Sequence, residues 1–170
     1  MSTYALAQLN VALMKAPLES PTMADFVAHL DRINALAERA PGFVWRLQTA
    51  DGNATALRPL GEDTLVNVSV WSDVAALHAY VYQSAHVDIM RRRKEWFALM
   101  REASVVLWWV PRGHRPTVSE AIAKLELLRA KGPTKRRSPS ATPSRLPMRR
   151  NRASPCDSVL HARPPNKSEC

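Results

Sequence analysis

The chain has 170 residues, is 46% hydrophobic, and carries a formal net charge of +9 and two cysteines. This is enough for one domain with a sizeable core, and it excludes a wholly disordered or collagen-like chain. The charge is unevenly placed: residues 1–132 hold 15 Lys/Arg against 13 Asp/Glu, a net of +2, whereas residues 133–170 hold 9 against 2, a net of +7. The basic character therefore belongs to the tail, and nucleic-acid binding is not expected of the domain itself. Cys156 and Cys170 both lie in the tail, so the first 132 residues have no disulfide, thiolate metal site or thiol nucleophile. Lys15 follows the N-terminal apolar stretch instead of preceding it, unlike a secretory signal. No apolar run reaches the roughly 20 residues of a membrane span. A cytoplasmic protein without membrane association is the expectation.

In chain order, Tyr4–Val11 reads as a strand. Ser20-Pro21 signals a helix start, with Ser as N-cap and Pro at the first helical position. Met23, Phe26, Val27, Leu30, Ile33, Asn34 and Ala37 then recur at helical spacing, until Pro41-Gly42 ends the helix. Phe43–Thr49 is a strand, and Asp51-Gly52-Asn53 is a hairpin-turn signal leading into Ala54–Arg58. Thr64–Trp71 is the clearest strand, with Val66, Val68 and Val70 on one face and Leu65, Asn67, Ser69 and Trp71 on the other. Ser72 caps a helix through Val74, Leu77 and Val81, with a break expected near Ser84 and a continuation through His86–Met100. Ser104–Val110 is a strand that is apolar on both faces. Pro116-Thr117 opens a last helix with a Thr117/Glu120 capping box, and Gly132-Pro133 stops it.

The order β-α-β-β-α-β-α predicts an α+β, ferredoxin-like split βαβ antiparallel sheet with helices on one face, over residues 3–132. A strand apolar on both faces requires a second layer, from this chain or a partner subunit. Residues 133–170 hold 7 of the 13 prolines and six serines, with no Phe, Trp or Tyr. They read as a disordered basic Pro/Ser/Arg-rich tail. Its Arg and Lys could contact nucleic-acid phosphates in a salt-dependent way, without aromatic residues for base stacking.

The segment from Leu65 to Thr117 holds four of the five tryptophans and three of the five histidines, and it is where a ligand site is expected. His86, Ile89, Arg93, Trp96, Phe97 and Met100 fall near one helical face. A His and an Arg on an apolar stripe suit an anionic or carbonyl-bearing ligand, and the His can move a proton. Alternatively, Arg93 snorkels to solvent and His86 makes a structural hydrogen bond. Asn67, Ser69 and Trp71 share one strand face, as do Gln8 and Asn10, and central pairing of these strands would bring the polar groups together. The same face could instead be solvated or dimer-facing. Trp108 and Trp109 point to opposite sides of their strand, so at least one is expected in the core, and Trp108 is a further candidate ligand contact. Without paired His at metal-ligand spacing, no metal site is expected.

The strings LAQLN, ADFVAHLDRINALAERAPGFVWRLQTADGNAT, VNVSVW, YVYQSAH, RRRKEWF and LWWVPRGHRPT occur in that order. Together they resemble a bacterial domain-of-unknown-function family of the dimeric α+β barrel superfamily, alongside antibiotic-biosynthesis monooxygenases and haem-degrading enzymes. The resemblance implies a homodimer with a cavity between each sheet and its own helices. It also implies cofactor-independent oxygenation of a small aromatic molecule, with no metal or flavin. Asn67 and Trp71 resemble part of the monooxygenase pattern, with His86 for proton transfer and Arg93 for charge stabilisation; Gln8, Asn10, Ser69, Trp96 and Trp108 would contact substrate. For the haem-degrading branch, His78 and His86 are the available ligands. The competing reading is a non-catalytic small-molecule-binding module of the same fold. Past Gly132-Pro133-Thr134 the chain departs from the family, as a frameshift product or a lineage-specific extension would.

Overall fold

Ten residues of alternating side chains, Tyr4–Leu13, form the first strand, β1, at the centre of the sheet. The computed structural model describes residues 3–83 and 86–133. Among these, the later elements are α1 (Ala24–Arg39), β2 (Phe43–Arg46), β3 (Thr64–Trp71), α2 (Val74–Gln83), α3 (His86–Trp96), β4 (Val105–Pro111) and α4 (Val118–Lys131). The strands make one antiparallel sheet in the order β2-β3-β1-β4. This is the split βαβ, α+β arrangement that the sequence predicts.

The register divides the sheet into two unlike faces. Asn10 lies opposite Asn67, and Gln8 opposite Ser69, so Leu6, Gln8, Asn10 and Ala12 share a face with Leu65, Asn67, Ser69 and Trp71. Helices α1, α2 and α3 cover this face. Leu6 and Trp71 pack with Ala37, Leu77 and Tyr80, while Leu65 packs with Met23, Trp96 and Phe97. On the other face, Leu9, Val11, Val66, Val68 and Val106 bury against Ala121 and Leu125 of α4. The expectation of helices on one face only is therefore corrected. The second layer that the doubly apolar β4 demands comes from this same chain.

Several element boundaries also move. Helix α1 begins at Ala24 instead of Ser20-Pro21, and no side chain caps it. Met23 is fully buried beside Met14 and Trp96, and residues 17–24 wind into tight turns to deliver it there. Strand β2 stops at Arg46, and residues 54–58 are not a strand. The turn at 51–53 forms (Thr49 N–H donates to Asn53 O, 2.8 Å), but Asn53 Oδ1 then accepts from the Thr55 N–H and closes a local loop. Helix α3 ends at Trp96 because the next residues are drawn to β1: Phe97 bridges Met14, and Ala98 N–H donates to Leu13 O at 2.8 Å. The expected break at Ser84, and the tail from residue 134, lie outside the described residues.

Helix α4 is docked by its own cap region. Thr117 accepts from the Glu120 N–H (3.1 Å), but the Glu120 carboxylate does not complete a capping box. It accepts from Trp108 Nε1 at 3.0 Å and lies 2.7 Å from His114 Nε2. Partial burial pushes the Glu120 carboxyl up, but the bonds from His114 and Trp108 outweigh this and hold it below the usual glutamate range.

Two outcomes follow from this docking. In urea titrations Leu125→Ala should cost about 2–5 kcal/mol as a core truncation, whereas Leu127→Ala, at an exposed position of the same helix, should change stability by no more than about 0.5 kcal/mol. Because the folded Glu120 pKa lies below the unfolded one, its contribution is present above the ordinary glutamate value and is lost as pH falls through the depressed value. Glu120→Gln should therefore flatten the acid limb of a stability-against-pH curve.

Candidate functional site

The polar stripe on the helix-covered face lies partly under a cavity of about 150 Å³ between the sheet, α1 and α3. Its floor includes Asn10 and Ala12 of β1 with Leu65 and Asn67 of β3. Helix α1 supplies Phe26, Leu30, Ile33 and Asn34 from its inward stripe. Helix α3 supplies His86, Ile89, Met90, Arg93 and Trp96. Arg46, Leu47 and the 53–55 loop form the rim. Among the described residues, no Asp or Glu lines the cavity.

The ionisable groups differ in how they are satisfied. Burial pushes the His86 imidazole below its ordinary value, only partly opposed by a hydrogen bond with the Val81 backbone. His86 is thus neutral at physiological pH, with its ring 4.7 Å from that of Tyr80. Arg46 is tied to Glu38, with Nη2 2.8 Å from Oε1. Arg93 is half-buried, burial alone shifts its guanidinium downward, and no carboxylate or hydrogen-bond acceptor engages it among the described residues. Asn10 Oδ1 is buried with no hydrogen-bond partner among the described residues. An unpaired half-buried cation and an unsatisfied amide oxygen are both costly in isolation.

The sequence-predicted site residues separate into two groups. Asn10, Asn67, His86, Arg93 and Trp96 line the cavity together. Trp71 does not. It is 1% exposed, stacked on Tyr80 at 5.0 Å and edge-on to Phe43, and its Nε1 donates to Ser69 Oγ at 3.0 Å. Ser69 in turn donates to Gln8 Oε1 at 3.4 Å, so Gln8, Ser69 and Trp71 form a buried relay beside the cavity rather than in its wall. Trp108 is on the opposite sheet face, where it holds Glu120. His78 lies against Tyr82 on α2, away from the cavity lining. No cluster of three or more His, Cys, Asp or Glu poised for a metal occurs among the described residues. None of the described helices is long and apolar enough to cross a membrane.

Among the polar cavity residues, Asn34, Arg46, Asn53 and Thr55 were not singled out as site residues from the sequence. Asn34 carried a signal, being the polar member of an otherwise apolar helical stripe. Arg46 and Asn53 carried none, because the end of β2 and the following loop decide where they go.

The roof of the cavity is tied across its outer side. Arg92 of α3 reaches Asp25 of α1 (2.5 Å) and Glu95 (2.8 Å), and its guanidinium lies 4.9 Å from the centre of the Trp96 ring.

Comparison with known structures finds SnoaB, a cofactor-independent oxygenase from Streptomyces nogalater, at 17% identity over 70% of this chain and 100% of that one, with a TM-score of 0.44. NE2512, a protein of unknown function from Nitrosomonas europaea, has 16% identity over 68% of this chain and 95% of that one, with a TM-score of 0.43. PA3566 from Pseudomonas aeruginosa has 16% identity over 66% and 96%, with a TM-score of 0.44. Likenesses this distant say nothing about chemistry. No curated protein matches the sequence significantly. Residues 5–150, by contrast, match one family profile, and the match runs on past the point where the sequence reading expects family likeness to end. The chain belongs to that family, DUF3291, a domain of unknown function.

Proposed function

We propose that the cavity is a substrate site for a small aromatic molecule and that the domain is a cofactor-independent oxygenase. The observation that supports this most is the convergence of a neutral His86, an unpaired Arg93 and the floor amides Asn10 and Asn67 on a partly apolar cavity with no Asp or Glu among its described lining residues. In this reading His86 accepts the proton of a phenolic hydroxyl. Arg93, itself half-buried, supplies the positive field that favours the resulting phenolate. The phenolate is the electron source and dioxygen the oxidant. One oxygen atom enters the ring para to the hydroxyl and the other leaves as water, so that phenol and dioxygen give quinone and water. The proton taken by His86 returns during release of that water.

The second reading, a binding module without turnover, is favoured by the position of Trp71. The tryptophan that the family resemblance assigns to substrate is locked against Tyr80 instead. We further propose that residues 3–132 are the ligand-binding unit and that it works as a cytoplasmic homodimer.

With a phenol or quinol substrate, the full-length protein should consume oxygen, and His86→Ala should lower the rate by about 10²–10⁴-fold. A rate that survives the substitution would remove His86 from the chemistry, and no consumption by the unmodified protein would leave the binding module. By NMR titration, His86 should change charge at a pH below the ordinary histidine value of 6.5. Because its folded pKa is lowered, the unfolded chain takes up this proton first, so stability should decline as pH falls through the unfolded value. Native mass spectrometry should give twice the chain mass; a monomer at micromolar concentration would rule out the dimer.

A further inference from the structure

We infer that the ligand is a one-ring aromatic monocarboxylate whose carboxylate is held by Arg93. The inference rests on the reading of the cavity as a small-molecule site and adds what that reading leaves open, the charge and size of the molecule.

The charge follows from a count of what is already neutralised. Arg46 at the rim has its counter-ion, because Glu38 meets both its Nε (2.9 Å) and its Nη2 (2.8 Å). His86 is uncharged near neutral pH. On the outer side of α3, Asp25 and Glu95 are both engaged by Arg92 and do not reach inward. Arg93 is left as a single positive charge, half-buried, facing a space with no acidic side chain among the described residues. One uncompensated charge in a partly dry site is complemented by one permanent negative charge. A neutral ligand would leave Arg93 without a counter-charge, and a ligand that enters as a dianion would bring a second charge with no partner, whereas a phenolate formed after binding is matched by the proton that His86 takes up.

The choice of carboxylate follows from donor geometry. A guanidinium offers parallel N–H groups that a carboxylate accepts in pairs. Asn10 Oδ1, buried and without a hydrogen-bond partner among the described residues, lies on the floor beside Asn67, where a donor on the ring other than the hydroxyl that faces His86 would satisfy it while the acid group stays with Arg93. The size follows from the volume. A cavity of about 150 Å³ is that of a site that accepts one benzene ring. Phe26, Leu30, Ile89 and Trp96 provide apolar surface for it.

Calorimetric titration of the full-length protein with benzoate, benzamide, phthalate, 2-naphthoate and phenol tests this. Benzoate should bind roughly ten- to a hundredfold more tightly than benzamide, the range of a hydrogen-bonded charge. Phthalate and 2-naphthoate should each bind less tightly than benzoate. Arg93→Gln should abolish the preference for benzoate over benzamide, and Arg93→Lys should restore part of it. The unfolding midpoint of each variant, taken alongside, separates loss of the site from loss of the fold. Benzamide binding as well as benzoate, benzoate affinity within threefold of wild type in a folded Arg93→Gln variant, or no benzoate binding would each overturn the inference. Phenol separates the two levels: phenol bound without benzoate would sink the carboxylate and keep the aromatic site, whereas binding of none of the five would sink both.

Discussion

The pairing of β1 with β3 governs the rest of the molecule. Eight consecutive partners, from Leu6 with Trp71 to Leu13 with Thr64, fix which side chains share a face. A slip of one residue would turn every side chain over. In the observed register Leu9, Val11, Val66 and Val68 all point towards α4, while Asn10 and Asn67 meet beneath α1 and α3. The dry core and the polar floor of the cavity are thus two sides of the same backbone ladder. Neither could be altered by re-registering a strand without spoiling the other.

The strands and their order were legible because period-2 alternation in β3, and apolar character on both faces of β4, have few alternatives. Helix α4 was legible as a helix, but its position was not. Its apolar stripe says that it must cover something, and only the assembled sheet shows that the free surface is the face opposite α1. Local signals failed where distant contacts overrode them. Ser20-Pro21 is a sound start signal, yet burial of Met23 among Met14, Trp96 and Phe97 postpones the helix. His86–Met100 keeps a helical pattern to its end, yet strand-like bonds from β1 capture Phe97 and Ala98.

The candidate site was half legible for a related reason. His86 and Arg93 are seven residues apart on one helix, so their common direction follows from helical geometry alone. Asn10 and Asn67 required only that β1 and β3 be neighbours. Trp71 shares a face with Asn67 yet not its surroundings, because α2 places Tyr80 over it. Side-chain direction is a property of a strand, but the identity of the helix above each position is a property of the whole fold. This also explains why Arg46 and Asn53 escaped notice: both come from a stretch whose path is set by an Asn-centred turn.

The ion pair of Arg92 with Asp25 divides the cavity into parts of unequal stiffness. The floor is built on β1, which is paired with β3 on one side and β4 on the other, and ladders of this kind open at higher cost than exposed surface contacts. The roof is two helices joined on the outside by charges that stand in water. Such pairs weaken as salt is added. Ionic strength should therefore act as a dial on the roof alone: the spacing of α1 and α3 can loosen in concentrated salt while the sheet beneath keeps its shape.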